Sequence, residues 1–304
     1  MITLLAAASS WLSLWLLIPL LSRGLLDQPN ARSSHQLPTP RGGGVAFVLV
    51  GSIAVALLGG WLPLLCLPLA LVGFLDDRHN LPPGLRYGVQ LATALLFLLI
   101  SPLPIFLSGW LPWLLILIAA TAVINFSNFM DGLDGLVAGC MAVLFAVAAI
   151  QGLAYLWPLV GALLGFLFWN WSPAKVFMGD VGSTFLGAVF AGVVLQQASF
   201  TAALGLLLVA TPLLADACLC VPRRLLAGQQ VFQAHRLHLF QRLHQCGWSH
   251  SSVASFYIAA TAVLALALLW GGLPWVITLA PFELLLGIWL DQRVAVPFAV
   301  ASRS

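Results

Sequence analysis

Eleven apolar runs, each near the length that crosses a lipid bilayer, divide this chain, and few folds accept such a pattern. A spanning helix needs about 20 mainly apolar residues. The runs fall at 3–22, 43–60, 62–76, 85–101, 110–127, 135–151, 154–170, 182–198, 200–221, 252–270 and 272–290, with short polar or Gly/Pro-rich segments between them. Hydrophobic side chains make up 62% of the 304 residues and charged ones 7%, with a mean hydropathy of +1.05, which excludes a water-soluble globular domain. The expected fold is all-α: a polytopic transmembrane helical bundle of about 11 spans, one integral membrane domain over residues 1–304.

Lys and Arg near span ends collect on the cytoplasmic side of a membrane. With the N-terminus outside, the inner segments are 23–42, 77–84 with the start of the fourth run, 128–134, 171–181, 222–251 and 291–304. All twelve basic residues (Arg23, Arg32, Arg41, Arg78, Arg86, Lys175, Arg223, Arg224, Arg236, Arg242, Arg293 and Arg303) then fall inside, as do all six histidines. The expected topology is N-out and C-in, and it accounts for the net charge of +3 without a nucleic acid partner. The first run carries no leading basic charge and reads as a retained span, not a secretory signal. Cys66, Cys140, Cys218, Cys220 and Cys246 show no metal-type spacing around histidine and read as small core hydrophobes.

The acids are placed as selectively as the bases. Asp76 and Asp77 close the third run in GFLDDRHNLPP, Asp131 and Asp134 begin the sixth in NFSNFMDGLDGL, and Asp180 in AKVFMGDVGS precedes the eighth. Five carboxylates from three segments thus meet at one membrane face, where like charges repel unless a cation or protonation relieves them. Mg²⁺, which takes one or two carboxylates and leaves other positions to water and phosphate oxygens, is the natural companion. Asp131 and Asp134, three apart, would share one helix face. Helix capping explains Asp131 or Asp180 alone, but Asp76 and Asp77 close a helix, where negative charge is unfavourable.

Basic groups complete the picture. HQLPTPRGGG supplies His35, Arg41 and a triple glycine before the second run, a place for an anion, here assigned to a lipid phosphate. In the 222–251 loop, Phe232, Leu239, Phe240, Leu243 and Trp248 interleave with basic residues as in an interfacial amphipathic helix. Its HRLH segment suits an anionic substrate, through either His235 or His238.

HQLPTPRGGG, FLDDRHNLPP, NFSNFMDGLDGL, NWSPAKVFMGDVGS and HRLHLFQRLHQCGWSH, in this order over residues 35–250, resemble the motifs of the polyprenyl-phosphate N-acetylhexosamine-1-phosphate transferases, the glycosyltransferase 4 family of WecA, WbpL and MraY. The resemblance implies a multi-span enzyme of the bacterial inner membrane, its active site facing the cytoplasm. It implies transfer of an N-acetylated sugar 1-phosphate from a UDP-sugar to undecaprenyl phosphate with Mg²⁺ (Mn²⁺ as the alternative), releasing UMP and initiating O-antigen or other cell-surface polysaccharide synthesis. The family's roles fall on Asp76 and Asp77 for catalysis, on Asp180 and Asp77 for the metal, and on Asn125, Asn128, Asp131, Asp134, Lys175 and one of His235 and His238 for the nucleotide sugar. AHRLHLFQRL lacks the consecutive histidines of other members and is closest to the WbpL-type branch, which points away from a muramyl-pentapeptide substrate. The assembly is left open, a homodimer being one form.

Two rival classes fit less well. A transporter places ionisable residues near the membrane midplane, whereas only Glu283 lies deep in a run here. Another Mg²⁺-dependent membrane phosphotransferase, acting on CDP-alcohols, would carry an Asp-Gly-x-x-Ala-Arg signature that this chain lacks.

Overall fold

A computed structural model describes residues 1–29, 34–103, 109–229 and 235–302; Arg32, Phe232 and Arg303, counted above, lie outside them. Among the described residues helix dominates, and every apolar run coincides with a helix or a broken pair. The helices are α1 (Ile2–Gly24), α2 (Gly44–Ala56), α3 (Leu62–Leu65), α4 (Leu67–His79), α5 (Pro83–Leu99), α6 (Trp110–Phe129), α7 (Leu136–Ile150), α8 (Trp157–Asn170), α9 (Asp180–Leu195), α10 (Phe200–Val209), α11 (Thr211–Leu226), α12 (Leu239–Gln245), α13 (His250–Arg293) and α14 (Phe298–Ala301). The described β-structure is a two-residue antiparallel pair, β1 (Leu26–Asp27) with β2 (Thr39–Pro40), which leads into α2.

Among the described residues, three helices, α1, α6 and α13, are individually long and apolar enough to cross a membrane, and five others are apolar but shorter. The run at 200–221 is broken at Ala210, where α10 and α11 meet at 77°. The two last runs are two helical segments of α13, separated by a kink at the non-helical Gly272 (φ 67°, ψ −163°). The outer faces are as apolar as the core: on α2 and its C-cap, Leu49, Ile53 and Leu57 are exposed at helical spacing while Phe47, Val48 and Val55 are buried. A helix apolar on both faces is a membrane element, and the chain is a multi-pass, all-helical membrane protein.

α9 is the hub. Nearly all of it is buried, with Phe185 and Phe190 fully enclosed. Its N-terminus meets the C-terminus of α4 at close range, because Gly73 presents no side chain: a Cβ there would lie 2.6 Å from the backbone C and O of Asp180. Gly73→Val therefore forces α4 and α9 apart, an overpacking cost of about 1–3 kcal/mol or more. The expected result is a lower midpoint of thermal unfolding in detergent with weakened catalysis; an unchanged midpoint would show that the two helices have room to spare.

The helix expected to lie flat on the membrane surface within 222–251 is instead inside the protein. α12 is seven residues long, and Phe240, Gln241, Arg242 and Leu243 are buried. Its capture is electrostatic: the Asp216 carboxylate accepts from the N–H groups of Leu239 (2.8 Å) and Phe240 (3.0 Å), at the positive end of the short helix. Arg242 is held by the carbonyls of Leu237 and Val296 and by the Asp291 carboxylate.

Side-chain contacts tie the six segments expected inside, five of them basic, to one end of the bundle. Arg41 pairs with Asp77, Asp134 with His250, Asn128 with Asp180, and Asp291 with Arg223 and Arg242.

Candidate active site

The α9 N-terminus is built from Gly179, whose positive φ of 75° and lack of a Cβ are both required, since a Cβ would lie 2.4 Å from Asp77 Oδ2. Asp77 receives the first amides of the helix: Oδ1 accepts from Asp180 N–H (3.1 Å) and Oδ2 from Val181 N–H (3.3 Å). The capping function dismissed for this residue at the end of its own helix is thus served on another, a distinction sequence spacing does not carry. Arg41 donates to the Asp77 carbonyl and stands 3.9 Å from its carboxylate. Both oxygens of Asp77 being committed to amides, Asp180 is the carboxylate that opens to solvent, its side chain 31% exposed.

Asp76 is buried and equally engaged: Oδ1 accepts from Leu81 N–H (2.6 Å) and Oδ2 from Arg86 (2.6 Å). Arg86 also reaches Asp180 Oδ2 at 3.4 Å, and Asn128 donates to Asp180 Oδ1 at 3.0 Å and to Ser183 Oγ at 2.9 Å. Arg86, Gln90, Asn125, Asn128, Asp180 and His235 line a polar cavity of about 280 Å³. Arg86 was legible in the sequence only as a topology marker at the start of a span; its place between two aspartates is the main functional feature that spacing missed.

The Asp131–Asp134 pair does not share a helix face, because residues 130–135 form turns between α6 and α7. The two carboxylates diverge. Asp134 contacts His250 Nδ1 (3.2 Å) and accepts from Ala174 N–H (3.2 Å), so it ties three segments together and does not line the cavity. Burial opposes its ionisation, but His250 and the Ala174 amide outweigh this and hold its pKa below the ordinary carboxylate value. Asp131 has the opposite environment: burial, then the charges of Asp180, Asp77 and Asp134, push its carboxyl well above the ordinary value. A divalent cation held between these carboxylates would relieve the repulsion, and an all-oxygen donor set is the kind Mg²⁺ takes.

Lys175 and His35 flank the site without lining the cavity. Lys175 is exposed in the α8–α9 loop, and His35 packs edge-on against Phe177 with ring centroids 4.8 Å apart.

The structure separates the two histidines of the loop. His235 is half-buried on the cavity wall and stacks at 4.9 Å on His238, which is 2% exposed and directs Nδ1 to Asp216 Oδ1 at 3.3 Å. Burial, reinforced by the neighbouring His238 and Arg224 charges, lowers the His235 pKa to about 3, so His235 is neutral. Burial also penalises a charged His238, but the hydrogen bond to the Asp216 carboxylate and its charge overcome this and raise its pKa to about 9. Asp216, a carboxylate within the 200–221 run that the motifs do not include, also accepts from Tyr257 Oη (2.8 Å). Because folding raises the His238 pKa from 6.5, its stabilising effect is whole below pH 6.5, declines through the interval and is gone above about pH 9. Thermal unfolding in detergent between those limits is expected to lose several degrees in the native protein and less in His238→Gln; parallel curves would refute the pairing.

The chain as a whole is similar to known proteins. Residues 60–198 fit the model of glycosyl transferase family 4. The chain is 29% identical to a probable undecaprenyl-phosphate N-acetylglucosaminyl 1-phosphate transferase of Bacillus subtilis, covering 82% of this chain and 79% of that one. It is 33% identical to a phospho-N-acetylmuramoyl-pentapeptide-transferase of Synechococcus (82% and 85% covered), and 34% identical to a decaprenyl-phosphate N-acetylglucosaminephosphotransferase of Mycobacterium leprae (74% and 71%). With its ordered motifs drawn to one end of a helical membrane bundle, and with relatives aligned over most of their length, the chain belongs to glycosyl transferase family 4.

Proposed function

We propose that this protein transfers an N-acetylated sugar 1-phosphate from a UDP-sugar to undecaprenyl phosphate, releasing UMP, as the first membrane step of O-antigen or another cell-surface polysaccharide. The observation that carries this reading is Asp180, open to a polar cavity beside Arg86 and Asn128. Next to that cavity, an apolar groove of about 590 Å³ runs between α11 and α13 past Ala215, Leu219, Ala260 and Val263. A polyprenyl chain suits the groove and a nucleotide diphosphate the cavity, with the Asp216–His238 contact standing between them.

The chemistry joins two anions. An oxygen of the lipid phosphate attacks the β-phosphorus, the bond to the α-phosphate oxygen breaks, and UMP departs with that electron pair. A phosphomonoester has a second pKa of about 6 and is largely dianionic at neutral pH, so positioning matters more than a general base. Asp76 fixes Arg86 on the cavity wall and Asp77 fixes Arg41. These carboxylates act through the arginines, which neutralise phosphate charge as the pentavalent transition state forms. Because each Asp77 oxygen already accepts a backbone N–H, direct displacement is favoured over a covalent aspartyl intermediate. Asp180, with Asp131 behind it, would hold the Mg²⁺ ion, whose chemistry is to bind pyrophosphate oxygens and offset their charge. The bundle is read as eleven spans in the inner membrane, N-out and C-in, with the site on the cytoplasmic face where the basic residues gather.

The test is UMP release by purified protein given undecaprenyl phosphate, Mg²⁺ and a panel of UDP-N-acetylated sugars. Lipid-dependent UMP from one sugar, abolished by chelator, is the expected result and names the substrate. Silence with every UDP-sugar alongside turnover of a CDP-lipid would instead favour the second phosphotransferase class.

A further inference from the structure

Cys220 on α11 and the two loop histidines carry a feature that neither the transfer reaction nor the aspartate cluster uses. One ligand atom from each of Cys220, His235 and His238 lies within 4.8 Å of the others. The sequence hides this trio, because Cys220 precedes the histidines by fifteen and eighteen positions and sits inside a span.

The geometry points to a thiophilic metal site, for Zn²⁺ or a like transition-metal ion, formed by Cys220, His235 and His238 at the edge of the substrate cavity. The first ground is an orphaned atom. His238 is 2% exposed, yet its Nε2 is buried without a hydrogen bond, a costly state for a polar atom in a native core. The second ground is orientation. Asp216 Oδ1 lies 3.3 Å from His238 Nδ1, which fixes the ring and leaves Nε2, once it gives up its proton, as the ligand atom, the carboxylate–histidine–metal arrangement that raises imidazole basicity. His235 stacks on His238 at 4.9 Å and supplies a second nitrogen. One thiolate and two imidazoles are a soft donor set that selects zinc-like ions and is poorly matched to Mg²⁺, which prefers oxygen.

Tetrahedral zinc with Zn–S of about 2.3 Å and Zn–N of about 2.0–2.1 Å places its donors roughly 3.3–3.8 Å apart. The trio therefore needs to close by up to about 1.5 Å, within reach of side-chain adjustment. Binding releases the Cys220 thiol proton, and any proton on His238 Nε2, to solvent. Three protein ligands leave a fourth position, which opens to the polar cavity that His235 and His238 line. An ion here takes both rings from the cavity wall, so occupancy inhibits transfer; that consequence, unlike the site itself, rests on the proposed function.

Co²⁺ titration of the full chain in detergent tests the site without reference to catalysis. The expected result is a thiolate-to-cobalt charge-transfer band in the near ultraviolet, displaced by Zn²⁺, lost in Cys220→Ser and retained when Cys218 and Cys246 are replaced by serine. No such band, or one that survives in Cys220→Ser, overturns the proposal. In the UMP assay at saturating Mg²⁺, Cys220→Ser is expected to keep its basal rate and to need at least about tenfold more Zn²⁺ for half-inhibition. Equal Zn²⁺ sensitivity in both proteins would place the inhibitory ion on the aspartates and refute the regulatory role. A cobalt band in protein that releases no UMP would leave the metal site standing and reject the transferase reading.

Discussion

Asp180→Asn is expected to lower lipid-dependent UMP release by about 10³-fold or more while the protein stays folded. Asp180 is the carboxylate of the cluster that faces the cavity, and Asn128 and Arg86 hold its two oxygens in place. Asparagine keeps the shape and removes the charge. The substitution does not strip α9 of its cap, because the capping carboxylate is Asp77, which meets the Asp180 and Val181 amides and not the side chain at 180. Removing one of several mutually repelling carboxylates should leave the thermal midpoint in chelator unchanged or slightly raised. The rise in that midpoint on adding Mg²⁺, a direct measure of ion binding to the folded state, should disappear. Activity within tenfold of the native protein, or a Mg²⁺-dependent shift that survives, would move the metal away from Asp180.

Replacing Arg86 is the second large effect. Its guanidinium bridges Asp76 at 2.6 Å and Asp180 at 3.4 Å and faces the cavity, a fork that a lysine ammonium cannot reproduce. Arg86→Gln is expected to reduce kcat/KM by about 10²–10³-fold, with Arg86→Lys intermediate. Part of any stability loss comes from Asp76, which is buried and would be left without its partner, so stability and catalysis must be read separately. A double-mutant cycle does this. If Asp76 acts by holding Arg86, adding Asp76→Asn to Arg86→Gln should cost little further rate, since the two work as a unit. Fully additive losses would give Asp76 a role of its own at the reacting phosphates.

Apolar run length determined the helical membrane fold, because a segment apolar on all faces has no other stable environment, and the eleven runs map onto helices or broken pairs. The distribution of Lys, Arg and His grouped five of the six segments that meet at one end of the bundle, and the ordered aspartate motifs pointed to the family. What the sequence could not determine was which way each carboxylate turns. Asp77 caps α9, Asp134 pairs with His250, and Asp180 opens to the cavity, although all three lie in similar Gly- and Asp-rich stretches. Periodicity reports the face of a residue's own helix and is silent about neighbouring helices. It placed Asp131 and Asp134 together on a helix where the chain instead makes turns, and it drew α12 on the membrane surface where Asp216 draws it inside. Arg86 and Asp216 escaped for the same reason: the partners that give them their roles are ten to ninety-four residues away, brought into contact only by the packing of α4, α5, α9 and α11.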